Sequence, residues 1–277
     1  MVIFIRPPVV AGTFYDLDPS LLRKQIETFF KIKPKYQKKN IKAAVVPHAG
    51  YIYSGSVAAQ VYSMIEKTNC LILGTNHSGM GSEFAIMKKG LWKTPLGEVA
   101  IDEVLCDKLM EECNLIEYDV IPHENEHSIE VQLPFLQYKF GSDFKIAPIA
   151  VLSDVPDKNL VENCKFVGKA IGKVLKKENS NWIILASSDF SHYVQQHTAE
   201  KNDRHAIKSI LKMKEEMFIE SVREKKISIC GFGTIATMMS AAKEMGAKKA
   251  ELIKYATSAD VTKEDFSVVG YASIIFY

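Results

Sequence analysis

Seven histidines and five cysteines are the side chains of this 277-residue sequence best suited to hold a metal or move a proton. Three histidines follow apolar runs: Val46-Pro-His48, Leu73-Gly-Thr-Asn-His77 and Ala186-Ser-Ser-Asp189-Phe-Ser-His192. Short apolar runs of this kind read as buried strands, and parallel strands place their carboxyl ends on one edge of a sheet, where ligands of open α/β folds bind. The expectation is therefore a cleft shared by at least two of these histidines. Cys230 differs from Cys70, Cys106, Cys113 and Cys164, which sit inside strand or helix patterns. It stands at a glycine-flanked helix entrance, where the helix N-terminus favours the thiolate, the nucleophilic and metal-binding form; an inert buried thiol is the competing reading. His197 and His205 fall in polar helical sequence and read as surface residues.

His123-Glu-Asn-Glu-His127 matches His-Glu-x-x-His, which in zinc peptidases needs both imidazoles one turn apart within a helix. Here Pro122 precedes the motif and the apolar helical period starts only at Ile129. A polar loop that sends His123, Glu124 or His127 into the cleft fits better, and a solvated helix start with favourable carboxylates is the plain alternative.

The elements that must position these residues follow from periodicity. Asp18-Pro19 opens a helix with apolar residues at helical spacing through Phe29, and Lys33 to Lys39 reads as a solvated basic connector. Strands are expected at 43–46, 70–73, 144–151 and 182–186, with a β-rich excursion over 83–101. Helices are expected near 56–66, capped by Ser54 or Ser56, and at 102–113, 128–138, 157–177, 200–213, 215–225 and 233–245. Two strand-like runs, 250–257 and 267–277, close the chain. Strands alternating with helices predict an α/β fold: one domain over residues 1–277, with a central mixed sheet flanked by helices and the site at the carboxyl ends of strands.

Composition narrows the function. The net charge of +2 gives no strong field towards nucleic acid or membrane. Arginine occurs only at positions 6, 23, 204 and 223, which argues against bidentate phosphate or base readout. An odd number of cysteines with no Cys-x-x-Cys argues against a disulfide framework and fits a reducing cytoplasm. The apolar N-terminus is too short for a signal peptide or a membrane span.

Taken together, Val10-Ala-Gly-Thr-Phe-Tyr15, Pro47-His-Ala-Gly-Tyr51, Gly74-Thr-Asn-His77, Glu124-Asn-Glu-His-Ser-Ile-Glu-Val-Gln-Leu-Pro-Phe-Leu136, Ser187-Ser-Asp-Phe-Ser-His192 and Cys230-Gly resemble the Memo family nearly end to end. The resemblance implies kinship with class III extradiol ring-cleaving dioxygenases, non-haem iron enzymes of α/β architecture. It implies that His48 and His77 are the paired metal-binding histidines, that His192 is an acid/base residue, and that Cys230 replaces the glutamate of those enzymes as third ligand. A thiolate is softer than a carboxylate and shifts metal choice and redox potential, so ring cleavage does not transfer with the fold. Fe(II) and copper are the expected metals, with zinc a further option.

The leading functional expectation is a metal-dependent oxidoreductase acting with oxygen on a small, aromatic substrate. His192 would move the proton, and Asp189, His127, Glu124 and His123 would line the cleft. Two readings compete with it: a non-catalytic protein using the cleft to bind a ligand, peptide or metal, and a metal-independent hydrolase with Cys230 as nucleophile and His192 or His48 as base. Nucleic acid and membrane are not expected as partners; a protein partner stays open.

Overall fold

A computed structural model describes residues 4–32, 40–178 and 182–277. The basic connector at 33–39 lies outside them. The chain opens with a two-residue strand β1 (Ile5–Arg6) and helix α1 (Pro19–Phe30). Asp18 caps α1 by accepting from the Ser20 and Leu21 amides, as the Asp-Pro start predicts; such a cap contributes about 1 kcal/mol. Next come β2 (Ala43–Val46), α2 (Tyr51–Met64) and β3 (Asn69–Thr75). The excursion is β4 (Phe84–Ile86), β5 (Leu91–Thr94) and β6 (Gly97–Ile101), followed by α3 (Glu103–Glu112) and β7 (Ile116–Tyr118).

One helical turn, α4 (Ile121–Glu124), and a 3-10 turn (Glu130–Gln132) lead into α5 (Leu133–Phe140). The second half runs β8 (Lys145–Val151), α6 (Lys158–Lys177), β9 (Trp182–Ser187) and β10 (His192–Val194). It ends with α7 (Gln196–Leu211), α8 (Glu215–Lys225), α9 (Phe232–Glu244), β11 (Ala250–Thr257), α10 (Ala259–Thr262) and β12 (Val268–Phe276).

The strands form one mixed sheet whose spine is β6-β8-β3-β9-β2-β12, flanked by helices. From β6 to β2 every neighbour is parallel, and β12 is antiparallel to β2. β2, β9 and β3 are adjacent, with Val46 opposite Ser187 and Ala186 opposite Leu73, so the three strands end side by side. Their central residues, Ala43 to Val46, Leu71 to Leu73 and Ile184 to Ala186, are fully buried, which explains the unbroken apolar runs.

α2 starts at Tyr51, five residues before the expected helix. Gly50 occupies the N-cap, and Ser54 does not cap: it lies in the first turn and its hydroxyl donates back to the Ala49 carbonyl. With ten of its fourteen residues buried, α2 has no broad polar face, because it is packed between the sheet and helices α1 and α5. That placement carries the chain from His48 directly into the core. α6 shows the opposite pattern: buried Leu160, Val161, Cys164, Val167, Ile171, Val174 and Leu175 form one stripe, with Asp157 capping the start and Lys176 and Lys177 in the last turn.

Candidate functional site

β2 stops at Pro47, which has no N–H for the ladder, and His48 follows at the sheet edge, 2% exposed. Its backbone N–H donates to Asp189 Oδ1 at 2.8 Å, tying the end of β2 to the turn after β9. The Nε2 of His48 is 3.2 Å from Cys230 Sγ. Cys230 immediately precedes Gly231, the N-cap of α9, and its sulfur accepts the Asp189 amide at 3.3 Å. Only glycine fits at 231: a Cβ there would lie 2.7 Å from both Ser188 Cβ and Thr75 Oγ1. The close approach brings the α9 N-terminus, and Cys230 with it, against the ends of β3 and β9.

His77 lies two residues beyond β3. Its Nδ1 is 2.9 Å from Glu126 Oε1 and its backbone N–H donates to Glu126 Oε2 at 2.8 Å. Nδ1 therefore faces the carboxylate and Nε2 faces the cleft. This is the arrangement in which a carboxylate orients a metal-binding histidine. Glu126 also accepts the His127 and Ser128 amides at 2.9 and 2.7 Å. The His48 and His77 rings are perpendicular at 5.1 Å, and His127 stacks on His77 at 4.6 Å while meeting His48 edge-on at 5.3 Å. The ligand atoms of His48, His77 and Cys230 all fall within 4.8 Å of one another. Two imidazole nitrogens and one thiol sulfur converging on open space match the donor preferences of iron, copper and zinc.

The charges in this space are strongly coupled. Burial holds His48 well below the usual imidazole range, and the nearby His127, His77 and His192 reinforce that. Burial would also lower His77, but its hydrogen bonds to Cys230 and Glu126 raise it to about 10. Glu126 is the counterpart: burial would raise it, and the His77 hydrogen bond with the His77 and His127 charges brings it down to about 2. Burial lowers His127, with Glu126 opposing. Burial raises Asp189 to about 6 against the pull of His192 and of the His48 and Ala49 amides.

His192 opens β10 and lines the same cleft. Its Nδ1 is 2.7 Å from the Ser228 carbonyl, which only accepts, so Nδ1 carries the proton and Nε2 is free. Tyr193 follows with φ 56°, a left-handed backbone unusual for a bulky residue, and its ring is 77% exposed. The cleft encloses about 750 Å³. Its lining includes the aromatic Phe14, Tyr53, Tyr193 and Tyr271 and the hydroxyls of Ser228 and Ser258, with no lysine or arginine in that lining among the described residues.

The structure thus brings His48, His77, His127, Asp189, His192 and Cys230 to one cleft. It does not bring His123 or Glu124. His123 is buried on another side, with Nε2 donating to the Ala85 carbonyl at 3.0 Å and its ring edge-on to Trp92. Glu124 ends the one-turn helix α4 and points to solvent. The helix breaks at Asn125, so His123 and His127 share no helical face and the zinc-peptidase geometry is absent. The carboxylate that does serve the site is Glu126, which sequence reasoning passed over. Phe14 and Tyr271 were passed over too, because each is remote in sequence and looks like ordinary core.

Comparison with known proteins agrees with this architecture. A family model described as Memo-like protein matches residues 6–275. A MEMO1 family protein of Methanopyrus kandleri is 41% identical, and one of Methanococcoides burtonii 45%; each match covers 98% of this chain and at least 98% of the relative. Another, from Sulfolobus acidocaldarius, is 41% identical over 98% of this chain and 99% of its own. Among solved structures, an uncharacterized protein of Escherichia coli K12 shares the fold at a TM-score of 0.55 and 9% identity, covering 86% of this chain and 100% of its own. By the family model and by these relatives, the chain belongs to the Memo-like family.

Proposed function

We propose that this protein is a metal-dependent oxidoreductase holding one divalent ion through His48, His77 and Cys230, with Fe(II) or copper first and zinc third. The observation that carries the reading is the convergence of the three ligand atoms within 4.8 Å beside an open cleft. When bound, iron or copper supplies Lewis acidity and one-electron chemistry with oxygen. The chain's own residues supply the rest. The Nε2 of His192, whose Nδ1 is taken by the Ser228 carbonyl, accepts a proton from a substrate hydroxyl, and His127 in the same cleft is a second proton carrier. Asp189 fixes the His48 backbone and keeps the Cys230 sulfur in place through its own amide. Phe14, Tyr53 and Tyr271 offer ring surfaces to a small aromatic substrate.

The experiment is oxygen uptake by iron- or copper-loaded protein with a panel of phenols, beside chelated protein and Cys230→Ser. Uptake that requires the metal and is lost in the variant supports the reading. Saturable binding with no uptake for any phenol replaces it with a non-catalytic ligand-binding role. The 3.2 Å approach of Cys230 to His48 favours a second reading, a thiol nucleophile with an imidazole base. Ester or amide hydrolysis that survives chelation would establish that one instead.

A further inference from the structure

The side of His48 turned away from the cleft carries an arrangement that the ligand geometry alone does not require. His48 Nδ1 is 3.0 Å from the hydroxyl of Ser187, the last residue of β9. The same hydroxyl is 2.7 Å from the Ser128 carbonyl and 2.9 Å from Gln132 Nε2. The Ser128 carbonyl is the nearest acceptor to the Ser187 hydroxyl, which donates its single proton there. Gln132 must present its amide nitrogen to Ser187, since that nitrogen also lies 3.0 Å from the Pro47 carbonyl and 3.3 Å from the Ser128 carbonyl. An amide oxygen there would face two carbonyls. The orientation is closed from the other end by Tyr62, whose hydroxyl donates to Gln132 Oε1 at 2.6 Å. Ser187, Gln132 and Tyr62 are all fully buried, so no water competes for these partners.

We infer that Ser187 and Gln132 are positioning residues that lock His48 in the Nδ1–H tautomer and thereby aim its Nε2 lone pair at Cys230 and His77. With its proton given to Ser128 and one lone pair taken by Gln132, Ser187 can only accept from His48. Nε2 is then obliged to be bare in the neutral ring, the form that ligates a metal. The lock reaches through Gln132 and Tyr62 into α2, so the tautomer is set by the core and not by the cleft. The affinity consequence rests on the metal reading; the tautomer itself does not.

The test has two arms. Long-range proton–nitrogen NMR of metal-free wild type at neutral pH reads which ring nitrogen of His48 carries the proton, and competition against a chromophoric chelator reads zinc affinity. The inference expects Nδ1–H in wild type. In Ser187→Ala it expects a tautomer mixture and zinc affinity reduced about 10- to 100-fold, the range for losing an outer partner of a ligating histidine. Gln132→Leu frees the Ser187 hydroxyl rotor, while also leaving the Tyr62 hydroxyl and the Pro47 carbonyl without this partner, and has a smaller effect of the same sign on tautomer and affinity. Ser187→Thr, which keeps the hydroxyl, restores wild-type behaviour. A proton on Nε2 in wild type overturns the inference, as does a folded Ser187→Ala with unchanged tautomer and affinity within about twofold of wild type. Should Ser187→Ala fail to fold, the wild-type spectrum and Gln132→Leu decide. Wild type that binds no zinc removes the metal reading and leaves the tautomer arm to judge this one.

Discussion

At Glu130 both carboxylate oxygens are fully engaged. Arg6 and the Val9 amide donate to Oε2 at 2.7 and 2.9 Å, and the Val10 amide and Tyr15 hydroxyl donate to Oε1 at 3.1 and 2.6 Å. Arg6 gives three further donors to the His123, Glu126 and Pro7 carbonyls and lays its guanidinium 4.0 Å over Trp92. At the cleft the reverse holds: His48 Nε2 and Cys230 Sγ face each other at 3.2 Å, and their outer partners leave those atoms turned inward. Both clusters are polar and largely buried, yet one closes its valences within the protein and the other directs them at a common point. A saturated network holds a fold together, whereas lone pairs aimed at one space wait for a cation or a substrate. Glu126 joins the two, with its carbonyl bound by Arg6 and its carboxylate by His77.

The largest effect should come from opening the saturated cluster. Arg6→Met leaves Glu130 as an uncompensated buried charge and should cost about 3–5 kcal/mol in urea unfolding. Metal stoichiometry of the folded fraction should not change. Next is Cys230→Ser, the mirror image: zinc or iron affinity should fall more than about 100-fold, while the metal-free melting temperature moves little, because the hydroxyl is nearly isosteric. If Arg6→Met spared stability or Cys230→Ser spared the metal, the contrast between the two clusters would be broken.

Glu126→Gln tests the joint between them. Metal affinity should fall about 10- to 100-fold, as the amide orients His77 without its charge. The metal-free protein should also show a defined pH window. Glu126 titrates near 2 in the folded protein against 4.5 ordinarily, so its contribution is complete above 4.5 and is lost as pH falls towards 2. His77 titrates near 10 against 6.5, so its contribution is complete below 6.5 and is lost as pH rises through 10. The wild-type advantage in melting temperature should therefore be widest between pH 4.5 and 6.5 and shrink on both sides. The smallest effects belong to the residues outside the cleft. His123→Phe should cost about 1 kcal/mol for the lost bond to Ala85, and Glu124→Gln less than about 0.5 kcal/mol, both with metal binding intact.

Much of this was legible in the sequence for a simple reason. Where burial is two-sided, as in Ala43 to Val46 and Ile183 to Ala186, the apolar run marks the strand and the first polar residues mark its end. That places His48, His77 and Asp189 just past strand ends, where the structure has them, and the glycine after Cys230 marks the helix entrance. The segment 121–132 was not legible at the level of single side chains. It is one α-turn, an irregular stretch and one 3-10 turn, so no period decides which of Glu124, Glu126 and Glu130 points inward. Long-range partners decide it instead: Arg6 draws in Glu130, and His77 draws in Glu126. The start of α2 was misplaced for a related reason. Ser54 and Ser56 read as caps, but Gly50 takes the cap position and the Tyr51 amide donates to the Phe14 carbonyl.

The central claim is that His48, His77 and Cys230 share one metal ion. X-ray absorption at the metal edge of the one-to-one complex reads the donor atoms directly. The proposal predicts one sulfur at about 2.3 Å and two imidazole nitrogens at about 2.0–2.1 Å for zinc, with the sulfur signal gone in Cys230→Ser. A wild-type spectrum with only nitrogen and oxygen donors would contradict it.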